Sequence, residues 1–298
     1  MSGLKEKRWQ VVGLGEVLWD IFPDKTRMGG APANYACAVA ALTNCADVSM
    51  VAGVGNDELG QQAVRELQQR NILTNGLQLR PNPTGQVNVR LNKVGNAEYT
   101  FAADTAWDDL QWSDSLQQLA QDTDVVCFGT LGQRSPVSSA TIQSFVENVP
   151  DSGIKIFDVN LRPPFFNDEI IRQSLSLANV LKLNEEELPL VAQLSGVTGS
   201  QNELLRQIAD AWQLDTIALT LGAEGAVLLH DNKVVSNPGV PTAIADTVGA
   251  GDSFTAALTI GFLNHWAIEK IGERATRVAA YVCSQSGATP DFPSALQM

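Results

Sequence analysis

Histidine is nearly absent: His230 and His265 are the only two in 298 residues, and both lie in segments far from any candidate nucleophile. No His-dependent triad or His-based metal cage is expected, and a carboxylate becomes the natural candidate for a base. Basic residues are also scarce, 20 Lys and Arg against 33 Asp and Glu, for a formal net charge of -13. That balance argues against sequence-independent nucleic-acid binding, although a few local donors can still hold a small anion. The four cysteines, Cys37, Cys45, Cys127 and Cys283, form no CxxC pair and no metal-ligand spacing. Most are flanked by apolar residues, so buried free thiols in a reducing compartment are expected. No apolar run approaches a membrane span, and the opening MSGLKEKRW lacks the core of a signal peptide, which points to a cytoplasmic protein with no membrane partner. Internal repeats, low-complexity tracts and charged tails are missing too.

What is present is a globular composition, 44% hydrophobic and 18% charged, in a chain long enough for one large domain spanning 1–298. Short apolar runs at Val48–Gly53, Val125–Gly129, Ile154–Asp158, Val180–Leu183 and Thr216–Leu221 read as buried strands. Helices are expected over about Pro32–Leu42, Asp57–Arg70 and Ser138–Glu147. The alternation predicts an α/β fold with a mostly parallel sheet flanked by helices. Two stretches depart from it. Thr84–Ala103 reads as an antiparallel hairpin turning at Gly95-Asn96, and Glu16–Met28 reads as extended with a turn at Pro23-Asp24. Strands from about 16–30 and 84–103 would form a small β-lid over one end of the sheet.

The opening WQVVGLG does not complete a dinucleotide fingerprint, because Leu18 stands where the third glycine belongs. Met28-Gly29-Gly30-Ala31-Pro32-Ala33-Asn34 places a flexible glycine pair before a proline-led helix, with the Asn34 amide on its first turn. Asn184 and Glu187 in LNEEE follow a strand end, spaced to share the first turn of a helix and to organise hydrated Mg²⁺. Arg162 in DVNLRPP can reach a substrate oxygen, and Thr220, Gly222 and Gly225 end another strand. Most telling is DTVGAGDSF at Asp246–Phe254. Such glycine loops opening a helix hold phosphate on N–H groups, yet this one has no Lys and carries an acid, so it is not a Walker A loop. The pattern makes sense for a phosphoryl group in transfer. The N–H groups near Gly249, Ala250, Gly251 and Asp252 receive the developing charge, and the Asp252 carboxylate takes the proton of an attacking alcohol.

Together, GGAPAN, NEEE, TLGAEG and DTVGAGDSF, in this order from about Val11 to Pro293, resemble the ribokinase-like (phosphofructokinase-B) carbohydrate kinases. The resemblance implies a ribokinase-like fold and transfer from ATP to a sugar with Mg²⁺. It implies Asp252 as base, Gly249–Asp252 as anion hole, Asn184 and Glu187 serving Mg²⁺, and Thr220, Gly222 and Gly225 along the nucleotide. Asp20, Gly30 and Asn34 would bind sugar hydroxyls beside Phe101 and Arg162, with Gly29-Gly30 as the lid hinge. A potassium ion behind the anion hole would be held by Asp246, Val248, Val282, Gln285, Gly287 and Asp291, the last standing where relatives carry Ser. GEVLWDIFPD, TAWDDL and DVNLRPPFF resemble bacterial fructokinases, so D-fructose giving fructose 6-phosphate is the expected reaction. Next come 2-keto-3-deoxygluconate, whose carboxylate would suit Arg162, and ribose. A non-catalytic sugar sensor is the reading from another class, but a sensor has no use for Asp252. A kinase of phosphorylated sugars would need basic lid residues, for which the hairpin offers Arg90 and Lys93. Lid strands also suit pairing between protomers, so a homodimer is expected.

Overall fold

Seven parallel strands build the body of the molecule, and all but the edge strand Leu77–Arg80 bury an almost unbroken apolar run, as a sheet covered on both faces requires. The computed structural model describes residues 8–91 and 97–298. In chain order β1 (Trp9–Gly15) leads to β2 (Leu18–Ile21), β3 (Thr26–Gly29), α1 (Ala31–Leu42), β4 (Ala46–Gly55), α2 (Glu58–Gln69), β5 (Leu77–Arg80), β6 (Gly85–Leu91) and β7 (Ala97–Phe101). Then come α3 (Asp114–Gln121), β8 (Val125–Phe128), α4 (Pro136–Asn148), β9 (Ile154–Asp158), α5 (Asp168–Leu177), β10 (Val180–Asn184), α6 (Leu188–Ser195) and α7 (Gln201–Trp212). The chain closes with β11 (Thr216–Thr220), β12 (Gly225–His230), β13 (Lys233–Pro238), α8 (Ala250–Leu263) and α9 (Ile268–Cys283).

The large sheet runs β13-β12-β11-β10-β9-β8-β1-β4-β5, parallel except for the antiparallel edge pair β12 and β13. Strand order reverses at β1, between β4 on one side and β8 on the other. At such a switch point the outgoing loops diverge and leave a crevice beyond the carboxyl ends of the strands. Side chains alternate between two cores. Val11, Val125, Cys127, Ile156 and Val180 face α1, α8 and α9, whereas Val12, Val126, Phe128, Phe157, Leu181 and Leu183 face α4 to α7. Asp158 and Lys182 follow the first alternation, which places two charges on a face otherwise apolar.

The expected lid is present as a separate four-stranded sheet, ordered β3-β2-β6-β7. The β6 and β7 strands pair antiparallel as predicted, and β2 pairs parallel with β6, joining two distant chain segments. The Gly95-Asn96 turn and Lys93 lie outside the described residues, as do the side chains of Arg90 and Tyr99. Expected helices and strands match to within two residues at nearly every end. The cysteines are free, with Cys37 and Cys127 buried as expected, but Cys45 is exposed on the turn after α1. Among the described residues no helix is long and apolar enough to cross a membrane.

Candidate active site

Two helices that start at glycines meet at the crevice. Gly30 caps α1 at φ +105°, where a Cβ would lie 2.5 Å from the Glu16 carbonyl, so only glycine fits. Gly249 caps α8 at φ +80°, with the Ala288 carbonyl 2.4 Å from any Cβ. One turn into α1, Asn34 Nδ2 donates to Asp252 Oδ2 at 2.8 Å, on the first turn of α8. From the next residue of α1, Tyr35 Oη lies 2.9 Å from Thr259 Oγ1, two turns further along α8, and ties the two helices together. A hydrogen bond to a charged group contributes about 1.5–3 kcal/mol, enough to fix the orientation of the carboxylate. Burial, and next the negative charge of Asp158, push the Asp252 carboxyl up to about 6, while Asn34, Lys182 and Arg162 oppose the shift. Asn34 is therefore a direct partner of Asp252.

The amides of α8 are arranged for an anion. Ser253 N–H makes the first intrahelical bond, to the Gly249 carbonyl at 2.9 Å, and Ala250 N–H reaches the Thr247 carbonyl at 3.3 Å. Gly251 and Asp252 N–H then belong to the open first turn, where donors and helix dipole attract negative charge. Of the amides expected to receive charge, Ala250 N–H is thus already engaged, whereas those of Gly251 and Asp252 lie on the open turn.

Around this point the lid and loops contribute charge of both signs. Asp20 on β2 is pushed up to about 6 by burial, with Arg162 opposing. Arg162 is exposed, bonded to its own Leu161 carbonyl at 2.9 Å, and its charge reaches Glu16, Asp20 and Asp252. Phe101 packs edge-on to Phe165 at 5.2 Å, lining a cavity of about 740 Å³ beside the lid with Arg134 and Asp108.

Asn184 and Glu187 come together, but not on a helix. They close the turn between β10 and α6, whose start is set by Pro189 in its first turn. Asn184 Oδ1 accepts from Glu187 N–H at 2.9 Å, and Glu187 accepts from Asn184 N–H and Leu161 N–H, both at 2.9 Å. Burial pushes the Glu187 carboxyl up, with Lys182 opposing. Across from this turn Thr220 ends β11, its hydroxyl donating to the Leu183 carbonyl at 3.3 Å. Gly225, at φ +102°, is required by its own fold, because a Cβ would meet the Asn237 carbonyl at 2.1 Å. Gly222, at φ +54°, has open space beside it and leaves a nucleotide free to approach.

Sequence reasoning missed three buried groups. Glu16 accepts the Ala31 N–H at 3.2 Å, closing the head of α1, and burial pushes its carboxyl up to about 7. Lys182 Nζ donates to Asp158 Oδ1 at 3.0 Å inside the protein, 6% and 5% exposed respectively. Burial works against the ammonium, but the charges of Asp158 and Glu187 outweigh it and hold the amine above its ordinary value. A signal existed, since a Lys inside the apolar run VLKL is seldom buried without a partner.

The pfkB family carbohydrate kinase profile matches residues 16–295. A sugar kinase of Pyrococcus horikoshii is 30% identical over 87% of this chain and 82% of its own. The structure of that uncharacterized kinase in complex with ATP superposes with a TM-score of 0.79 at 28% identity, covering 94% of each chain. An Escherichia coli fructokinase is 27% identical over 94% of this chain and 95% of its own. The ATP-bound fructokinase of Xylella fastidiosa shares the fold, with a TM-score of 0.85 at 21% identity over 95% of both chains. With the profile spanning nearly the whole chain and a relative at 30% identity over most of it, the chain belongs to the pfkB family of carbohydrate kinases.

Proposed function

We propose that this sugar kinase transfers the γ-phosphoryl group of ATP to O6 of D-fructose, with Asp252 as the base. One observation carries the reading: the 2.8 Å bond from Asn34 that aims the Asp252 carboxylate across the open amides of α8. O6 attacks the γ-phosphorus in line, its proton passes to an Asp252 oxygen, and the bond to the β-phosphate oxygen breaks to release ADP. The amides of Gly251 and Asp252 take up charge on the migrating group. Asp20 and Asn34 are suited to the hydroxyls of a neutral sugar, and Gly29-Gly30 to the hinge of a closing lid. Similarity to the E. coli fructokinase supports fructose. The exposed guanidinium of Arg162 favours a second reading, 2-keto-3-deoxygluconate, whose carboxylate it would meet.

The turn of Asn184 and Glu187 fits hydrated Mg²⁺, because this ion keeps its waters and is held mainly through substrate phosphates. Bound there, Mg²⁺ would neutralise phosphate charge. Potassium fits less well. Asp246 accepts from Val248 N–H and Gly287 N–H, each at 3.1 Å, and lies 3.6 Å from the Arg27 guanidinium of the lid. Arg27 also donates to Ser286 Oγ at 2.9 Å. The Val282 carbonyl accepts Gln285 N–H at 3.0 Å, and the Asp291 carbonyl accepts the Tyr281 hydroxyl at 2.9 Å. A fixed cation already faces Asp246, so no step is routed through a second one.

A coupled ATP-consumption assay across fructose, ribose, 2-keto-3-deoxygluconate and fructose 6-phosphate tests the assignment. Fructose should give the highest kcat/KM, and Asp252→Asn should lower kcat by ~10²–10⁴-fold while sugar binding persists. A preference for the keto acid would replace fructose, and normal turnover in Asp252→Asn would remove the base.

A further inference from the structure

Phosphate loops elsewhere meet the charge of the migrating group with a lysine of their own, and DTVGAGDSF has none. The fold supplies one from beneath. Lys182 stands on β10 in register with Asp158 on β9, and both side chains rise toward the head of α8. A methyl group at Gly251 would lie 2.9 Å from Lys182 Nζ, so the ammonium sits directly against the first turn. Asp158 Oδ2 lies 3.0 Å from Thr255 Oγ1, which itself lies 3.1 Å from the Gly251 carbonyl. Lys182, Asp158 and Thr255 thus form a buried chain of polar groups that returns to the first turn of α8 at Gly251.

This buried chain of groups has polarity. Its cationic end backs Gly251 on the first turn of α8, and its anionic end influences Asp252. A structural ion pair would have no need to sit where it does, on a face that the flanking strands β8 and β11 fill with Val125, Cys127 and Ala218. We propose that Lys182 is a positioning residue of phosphoryl transfer: its buried ammonium backs the amides that receive the migrating group, while Asp158, held by Thr255, backs the base. The proposal rests on the Asp252 reading above. The ammonium acts through the α8 amides, strengthening them only when negative charge gathers in front, so it favours the transition state over bound ATP.

Because removing one member of a buried pair strands the other, the main test is the isosteric double variant Lys182→Met with Asp158→Asn. It should melt near the parent and keep KM for ATP and fructose within ~3-fold, yet lose ~10²-fold in kcat. Affinity for ADP with aluminium fluoride and fructose, a planar mimic of the group in flight, should fall by the same factor. Parental kcat in the folded double variant would overturn the proposal. The single variants add a signature that a merely structural pair would not give. The charged or titratable groups facing Asp252 are Glu16, Cys127, Asp158, Arg162 and Lys182. Asp158→Asn should move the acid limb of kcat/KM to lower pH and Lys182→Met to higher pH, and limbs that stay put would count against it. If the double variant does not fold, Thr255→Val serves, since it keeps both charges and frees Asp158. There kcat should drop ~10-fold at constant KM, and an unchanged kcat would overturn the proposal. Asp252→Asn is assayed alongside. An active Asp252→Asn removes the underlying base assignment, whereas an inactive one beside a fully active double variant removes the role of Lys182 alone.

Discussion

The heads of α1 and α8 are built from the same parts and finished differently. Each begins at a glycine held at positive φ, and each carries a polar side chain on its first turn that meets the other across the crevice. At α1 the protein supplies its own anion, the buried carboxylate of Glu16 on Ala31 N–H. At α8 no side chain caps the helix, and the charge behind it is the cation Lys182. One helix head is closed by a side chain of the protein, and the other carries no side-chain cap, the arrangement that suits a bound anion. The contrast shows that a glycine junction acquires its function from what lies behind it.

The comparison can be broken most severely at Gly249. Alanine there must adopt a left-handed backbone and intrude on the Ala288 carbonyl, whose fixed position offers no relief. Gly249→Ala should cost ~3 kcal/mol or more of stability and leave kcat at least ~10²-fold down, as read by thermal melting and the ATP assay. A parental melt would show that the loop tolerates rearrangement.

Cutting the link between the two heads is gentler. Asn34→Ala should lower kcat/KM by ~10-fold or more and move its acid limb upward from about 6, because Asn34 is one of the groups holding the Asp252 proton affinity down. A downward move would mean that Asn34 does not donate to the carboxylate.

Glu16 sharpens the comparison through stability. Its folded-state value of about 7 lies above the ordinary 4.5, so the folded chain binds this proton more tightly than the unfolded chain does. The resulting stabilisation is complete below 4.5 and is lost as pH rises through about 7. Glu16→Gln should therefore flatten the fall in Tm between about pH 5 and 8, an effect on the order of 3 kcal/mol across that window. An equal slope in both proteins would exclude a buried acid at the head of α1.

The smallest effect concerns salt. With Arg27 facing Asp246, exchanging potassium for sodium should change kcat by less than ~2-fold. Strong activation by potassium would mean that the guanidinium does not fill that place.

Much of this was legible in the sequence because it is local. Apolar runs of strand length alternating with helices predicted the parallel sheet, and the glycine pairs marked both helix heads through backbone angles that only glycine adopts easily. The Asn184–Glu187 turn was misplaced onto a helix although Pro189, two residues past Glu187, signals where α6 begins. What stayed hidden depends on register. Lys182 and Asp158 are 24 residues apart and meet only because β9 and β10 align them, and Arg27 on the small sheet meets Asp246 from the far end of the chain. Pairings of that range leave no periodic trace along the chain.

The hydrogen bond between Asn34 and Asp252 has one more consequence. Oδ2 of the acid is already engaged by an amide. Any hydroxyl that takes this oxygen as its acceptor must compete with that amide, so a newcomer to the crevice is weighed against a partner the protein already holds.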